Sequence, residues 1–161
     1  MEYLSQAVIR ILDINLRSPF YSQSLVQALL DKADIVKVND EELQLLARYN
    51  QMEGTEQELM EGLLSSYDLD LLILTKGKEG AVALDETGLH AQAGFPVKVK
   101  DSVGSGDSFL AAFLSQYLRG AEVGNCLAFA GAVGALVATH SGGTPRILQA
   151  DIEQMINSNK H

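Results

Sequence analysis

The stretch Asp101-Ser102-Val103-Gly104-Ser105-Gly106-Asp107-Ser108-Phe109 decides how this chain is read. Glycines at 104 and 106 let successive backbone N–H groups converge on one point. The run that follows predicts a helix over 108–118, closed by Arg119 and a glycine C-cap at Gly120. A helix opening there adds unpaired amides and the positive end of its dipole. Such a place can hold charge developing on a transferring phosphoryl group. Asp107 at the end of the loop suits a base that takes a hydroxyl proton, or a metal ligand. The plain alternative is a glycine-rich turn with Asp107 as an ordinary N-cap. No G-K-[ST] follows, so this is not the P-loop pattern. The third glycine of the dinucleotide fingerprint is missing, and so are the protein-kinase catalytic strings.

Working outward, Leu71–Thr75 is a continuous apolar run, as expected of a parallel strand covered on both faces. Ile35, Val36 and Val38 read the same way, and residues 8–12 predict a shorter first strand. A polar loop with Asp13, Asn15 and Arg17 follows, closed by Pro19 and Tyr21. Ser22 or Ser24 then caps a helix running to about Ala33. Asn39 and Asp40 precede a second helix, and Thr55 with Glu58 has the spacing of a capping box. Residues 76–80 read as a turn, 81–84 and 89–93 as a hairpin, and Val97 with Val99 as one more short strand. A small-residue helix over 122–138 and a short terminal helix over 151–155 complete the order. The alternation predicts one α/β domain over residues 1–161, three-layered and Rossmann-like, with a mixed sheet.

Composition narrows the function classes. The 161 residues are 47% hydrophobic and 20% charged, as in a globular chain. Net charge is −9, Trp is absent, and no basic stripe interleaved with aromatics exists, which argues against nucleic acid as a partner. Cys126 is the one cysteine, so no intramolecular disulfide forms, and its apolar neighbours predict a buried small side chain. The apolar segment 127–139 is interrupted by Gly131 and Gly134 and is too short for a bilayer, so no membrane partner is expected and a cytoplasmic location is the default.

Residues 101–107 resemble the D-T-x-G-A-G-D signature of the ribokinase/fructokinase family of ATP-dependent carbohydrate kinases, with Ser102 in place of Thr and Ser105 in place of Ala. The resemblance implies that Asp107 is the catalytic base and that Gly104, Ser105 and Gly106 form an anion hole. Three further segments agree in order. Residues 13–17 resemble the D-x-N-x-R stretch of fructokinase-like members. Residues 37–42 resemble the N-x-x-E motif, which implies that Asn39 and Glu42 position magnesium-nucleotide phosphates, with Glu42 as the metal-side carboxylate. Thr75, Gly77 and Gly80 resemble the T-x-G-x-x-G turn over the nucleotide. Residues 131–143 resemble the small-residue helix and glycine turn beside the adenine pocket, placing His140 and Gly143 there. Read without the resemblance, Asn39 and Glu42 could simply cap a helix, and His140 has no metal-ligand spacing.

The implied cofactors are ATP and Mg²⁺, and the implied reaction is phosphorylation of a small sugar, fructose first. The similarity covers about the C-terminal half of a typical member. The expected fold is therefore a ribokinase-like sandwich lacking the N-terminal sugar-binding and lid portion. Such a piece should leave its first strand uncovered and pair as a homodimer or with an N-terminal kinase half. The rival expectation is a nucleotide-binding or assembly remnant without catalysis.

Overall fold

The computed structural model describes residues 8–17 and 20–159, so Pro19 of the first loop lies outside the described residues. The five strands form one sheet in the order β1-β2-β3-β4-β5. Strands β1 (Ile11–Asp13), β2 (Ile35–Asn39) and β3 (Leu71–Thr75) are parallel neighbours, with Ile11 opposite Ile35 and Ile35 opposite Leu71. Parallel neighbours need crossovers. Helix α1 (Gln23–Leu30) supplies the first, and α2 (Asp40–Tyr49) with α3 (Glu56–Ser66) supplies the second. Strands β4 (Gly80–Asp85) and β5 (Gly88–Ala93) are joined by two residues, a link short enough only for antiparallel neighbours. The sheet is thus mixed, as the sequence predicts.

The chain divides into two compact units, residues 1–75 with 83–89 and residues 76–82 with 90–161. In the first unit, Ile35, Val36, Val38 and the run 71–74 are almost wholly buried. That is the pattern of parallel strands covered on both faces. Leu43 and Leu46 from α2 and Leu59, Met60 and Leu63 from α3 complete the core. Ser22 caps α1, and both Asn39 with Glu42 and Thr55 with Glu58 form full capping boxes.

Strand β1 lies at the sheet edge and sits later than its predicted span. The Arg10 N–H goes to the Asp34 carboxylate, while its carbonyl accepts from Asp34 N and from Ile35 N at the start of β2. The Arg10 guanidinium also pairs with Asp34 and holds that carboxyl below the usual aspartate range. Ladder pairing therefore begins only at Ile11. Around this edge Val8 is 97% exposed, Phe20 85% and Ile11 38%, in contrast to the buried strands beside it.

The second unit packs α4 (Ser105–Tyr117), α5 (Val123–Ala138) and α6 (Gln149–Ser158). Phe109, Phe113 and Tyr117 stack along α4, with centroids 6.5 and 5.7 Å apart. Phe95, Ala132 and Ile152 centre a second apolar cluster. Cys126 is buried and free, and burial pushes its thiol pKa up. The strand expected at Val97 and Val99 does not form. Lys100 N and Asp101 N instead donate to the Ala138 carbonyl, at 2.8 and 3.2 Å, so this segment satisfies the C-terminal end of α5. Helix α4 opens three residues earlier than predicted, because Gly104 rather than Asp107 is its N-cap. No helix among the described residues is long and apolar enough to cross a membrane.

Candidate active-site elements

The glycine-rich loop lies in the second unit. Gly104 takes the left-handed conformation, φ 76° and ψ −4°, which starts α4 without a side-chain cap. Ser105 N donates to the Ser102 carbonyl at 3.2 Å, and Ser108 N donates to Gly104 at 2.9 Å. Among the described residues, the Gly106 and Asp107 N–H groups make no hydrogen bond. Two adjacent donors are therefore presented at a helix start, where the dipole also favours an anion. Asp107 stands exposed in that same first turn.

The three residues assigned to the anion hole thus differ. Gly106 offers a donor, Gly104 supplies the turn, and the Ser105 amide is already engaged. The Ser105 hydroxyl points away, donating to the Gly134 carbonyl of α5 at 2.9 Å. Asp101 fixes the loop from the other end. Its Oδ1 accepts from Val103 N and its Oδ2 from Gly142 N, both at 3.0 Å. Those two amides hold its pKa below the ordinary carboxylate range. The same contacts bring Gly143 against Gly104. The sequence reading placed Gly143 beside the nucleotide but missed Asp101 as the link.

Gly77 opens and Gly80 closes a short 3-10 turn in this unit, and Lys76 N donates to the Gly80 carbonyl at 2.8 Å. The main chain of Gln92 and Gly94 passes directly behind Gly80. His140 Nδ1 lies 2.9 Å from the Leu136 carbonyl and 3.0 Å from Thr139 Oγ1. Its ring borders an open cavity of about 440 Å³ with a mixed lining, Phe95, Leu136 and Met155 facing Asp151, Gln154 and Asn159.

In the first unit, Asn39 and Glu42 form the N-cap of α2. Asn39 Oδ1 accepts from Glu42 N and Glu42 Oε2 accepts from Asn39 N, each at 2.9 Å. Glu42 does more than cap. Its Oε1 accepts from Leu16 N at 3.0 Å, which ties the loop after β1 to α2. Thr75 lies opposite Asn39 in the β2–β3 register, and its hydroxyl donates to the Val38 carbonyl at 3.3 Å. Lys37, not singled out in the sequence, is buried and pairs with Asp13 Oδ1 at 3.0 Å.

Magnesium suits this donor set. Each Glu42 oxygen has one amide partner and keeps acceptor capacity. No cluster of three or more His, Cys, Asp or Glu residues exists among the described residues. A single carboxylate acting with phosphate oxygens and water is the usual magnesium environment.

The chain belongs to the pfkB family of carbohydrate kinases, which its sequence matches over residues 2–150. Among its relatives, 2-dehydro-3-deoxygalactonokinase of Haloferax volcanii is 26% identical over 148 residues, covering 89% of this chain and 46% of the relative. Fructokinase-2 of Solanum lycopersicum is 30% identical over 149 residues, covering 84% of this chain and 44% of the relative. A protein of Escherichia coli assigned as ribokinase II, solved in complex with ATP and Mg²⁺, superposes with a TM-score of 0.79 at 25% identity, covering 94% of this chain and 49% of that one. The α/β sandwich is thus ribokinase-like, and the chain spans about half the length of the relatives it matches.

Proposed function

We propose that this chain is the ATP-side half of a carbohydrate kinase that transfers the γ-phosphoryl group of ATP to a hydroxyl of a small sugar, fructose or a close relative. The observation that carries this reading is the start of α4, where the unbonded Gly106 and Asp107 amides share a turn with the Asp107 carboxylate.

In the second unit, those amides hold the phosphoryl oxygens as charge develops on them. Gly104 shapes the turn, and Ser105 anchors it through its hydroxyl. Asp107 accepts the sugar hydroxyl proton as the sugar oxygen bonds to phosphorus and the bond to ADP breaks. Gly77, Gly80, His140 and Gly143 serve the nucleotide. In the first unit, Asn39 and Thr75 shape the C-terminal ends of β2 and β3, and Glu42 would hold magnesium through water. Bound Mg²⁺ supplies charge neutralisation on the phosphates.

We assign the sugar pocket and lid to polypeptide beyond these 161 residues, in an N-terminal kinase half or a second copy covering the β1 edge. ATP use accords with a cytoplasmic setting. A second reading, nucleotide binding without transfer, draws on the half-length match. ADP release by the chain, alone and mixed with an N-terminal half of a fructokinase relative, decides between them when assayed with fructose, ribose and nucleosides. Sugar-dependent release is the expected result. Nucleotide binding with no release under any combination favours the second reading, and no nucleotide binding at all removes both.

A further inference from the structure

Among the described residues, Lys37 and Glu42 are the two charged side chains that are buried, 8% and 6% exposed. They lie five residues apart, in the middle of β2 and in the first turn of α2. The role proposed for Glu42 involves the nucleotide, whereas Lys37 has no part in the chemistry above. Burying a lysine between Val36 and Val38 of β2 is unfavourable unless its charge is matched, and a well-packed apolar pair would often stabilise as well or better. The pair therefore calls for a role other than stability.

Its position supplies one. Asp13 and Lys37 are directly opposite in the β1–β2 register, and Asp13 is the last residue of β1. One bond further, Ile14 N still donates to the Lys37 carbonyl at 3.2 Å. The chain then leaves the sheet through Asn15, which has a left-handed φ of 36°. Asparagine is one of the few non-glycine residues that adopt that conformation readily, so the turn is sharp without being strained. Immediately after it, Leu16 N reaches Glu42 Oε1. Lys37 thus anchors the residue from which this turn springs, and the turn delivers the one donor among the described residues that reaches Glu42 from outside its own capping box.

We propose that the Asp13–Lys37 ion pair is a positioning device. It fixes the turn over 13–16 so that the Leu16 amide sets the orientation of the Glu42 carboxylate for a magnesium-bound nucleotide. The inference rests on the reading of Glu42 given above, but its geometric part can be tested without nucleotide. Asp13 and Lys37 are positioning residues, since neither is assigned a contact with substrate.

The variants are Asp13→Asn, Lys37→Met and the double Asp13→Leu/Lys37→Met, which replaces the pair by apolar side chains. Amide hydrogen exchange is followed at Leu16 and, for comparison, at Asn39. Binding of a fluorescent ATP analogue is titrated with and without Mg²⁺, alongside Tm. Each single variant should speed exchange at Leu16 while Asn39 stays protected. Each should also weaken magnesium-dependent binding by about tenfold, as loss of an outer-shell partner does, and leave magnesium-free binding unchanged. The double variant should recover Tm without recovering either signature.

Leu16 protection that survives all three substitutions overturns the positioning role. Magnesium dependence that returns together with Tm in the double variant overturns it too, because the pair would then act through stability alone. If the unaltered chain binds ATP no better with magnesium, the nucleotide reading of Glu42 and this inference's link to it both fall.

Discussion

A Cβ added to Gly104 would lie 2.4 Å from the carbonyl oxygen of Gly143 and 2.6 Å from its Cα. The loop and the turn over 142–143 are thus in backbone contact, with no room for a side chain between them. Gly104→Ala should combine a left-handed alanine with this clash and destabilise the chain by about 2–4 kcal/mol. In a domain of this size that is a fall in Tm of about 5–15 °C. Gly142 also has a positive φ, 84°, but a Cβ there meets nothing within 4 Å. Gly142→Ala should therefore show only the conformational part, about 1–2 kcal/mol. Thermal melts of the two variants separate clash from strain, and equal losses would contradict the contact.

Asp107 stands exposed in the first turn of α4, and its side chain makes no hydrogen bond or ion pair among the described residues. In a kinase assembly that turns over, Asp107→Asn keeps the shape and removes the proposed proton acceptor. The expected result is a kcat lower by about 10²–10⁴ with nearly unchanged ATP affinity. Steady-state kinetics with ATP-analogue binding checks both, and a variant retaining most of its kcat would take Asp107 out of the mechanism.

Asp101 gives a pH signature. Its pKa is lowered in the folded chain by the Val103 and Gly142 amides. A depressed carboxyl contributes stability that is fully present above the unfolded aspartate value, about 3.9, and is lost as pH falls through the folded value. The Tm difference between the unaltered chain and Asp101→Asn should be constant from neutral pH to about 5 and shrink below about 4. A gap that stays constant down to pH 3 would mean that the carboxylate charge is not what ties the two loops.

Much of this was legible beforehand because the signals are local. The buried strands Ile35–Asn39 and Leu71–Thr75 and the capping box at Thr55 and Glu58 each follow from a few adjacent residues, as does a helix after the glycine-rich loop, though not its start at Ser105. What escaped depends on partners distant in sequence. Val97 and Val99 look like a strand, but the segment that follows them binds the end of α5, 38 residues beyond Lys100. Arg10 looks like part of the first strand, yet its N–H is taken by the Asp34 carboxylate, 24 residues away. Lys37 carried no signal of its own, since its burial depends on Asp13 in the neighbouring strand. The bond from the Ser105 hydroxyl to the Gly134 carbonyl likewise joins residues 29 positions apart.

The contact between Ser105 and Gly134 yields the last expectation. Gly134 is buried inside α5, and a Cβ there would lie 3.3 Å from the Ser105 carbonyl oxygen and 3.5 Å from Phe109 Cβ. A methyl group is thus tight against the first turn of α4 without being excluded. Gly134→Ala gains about 1 kcal/mol of helix propensity, which offsets the small displacement it needs, so its Tm should be close to unchanged. Gly134→Val adds branches with nowhere to go and pushes on the turn that carries Gly106 and Asp107. It should cost about 1–3 kcal/mol and weaken phosphate binding as well. Ser105→Ala removes the bond to the Gly134 carbonyl without adding bulk, for a loss of about 0.5–1.5 kcal/mol. Melts with and without ATP resolve the three effects. If Gly134→Val left both stability and ATP binding intact, the placement of the α4 turn would not depend on its contact with α5.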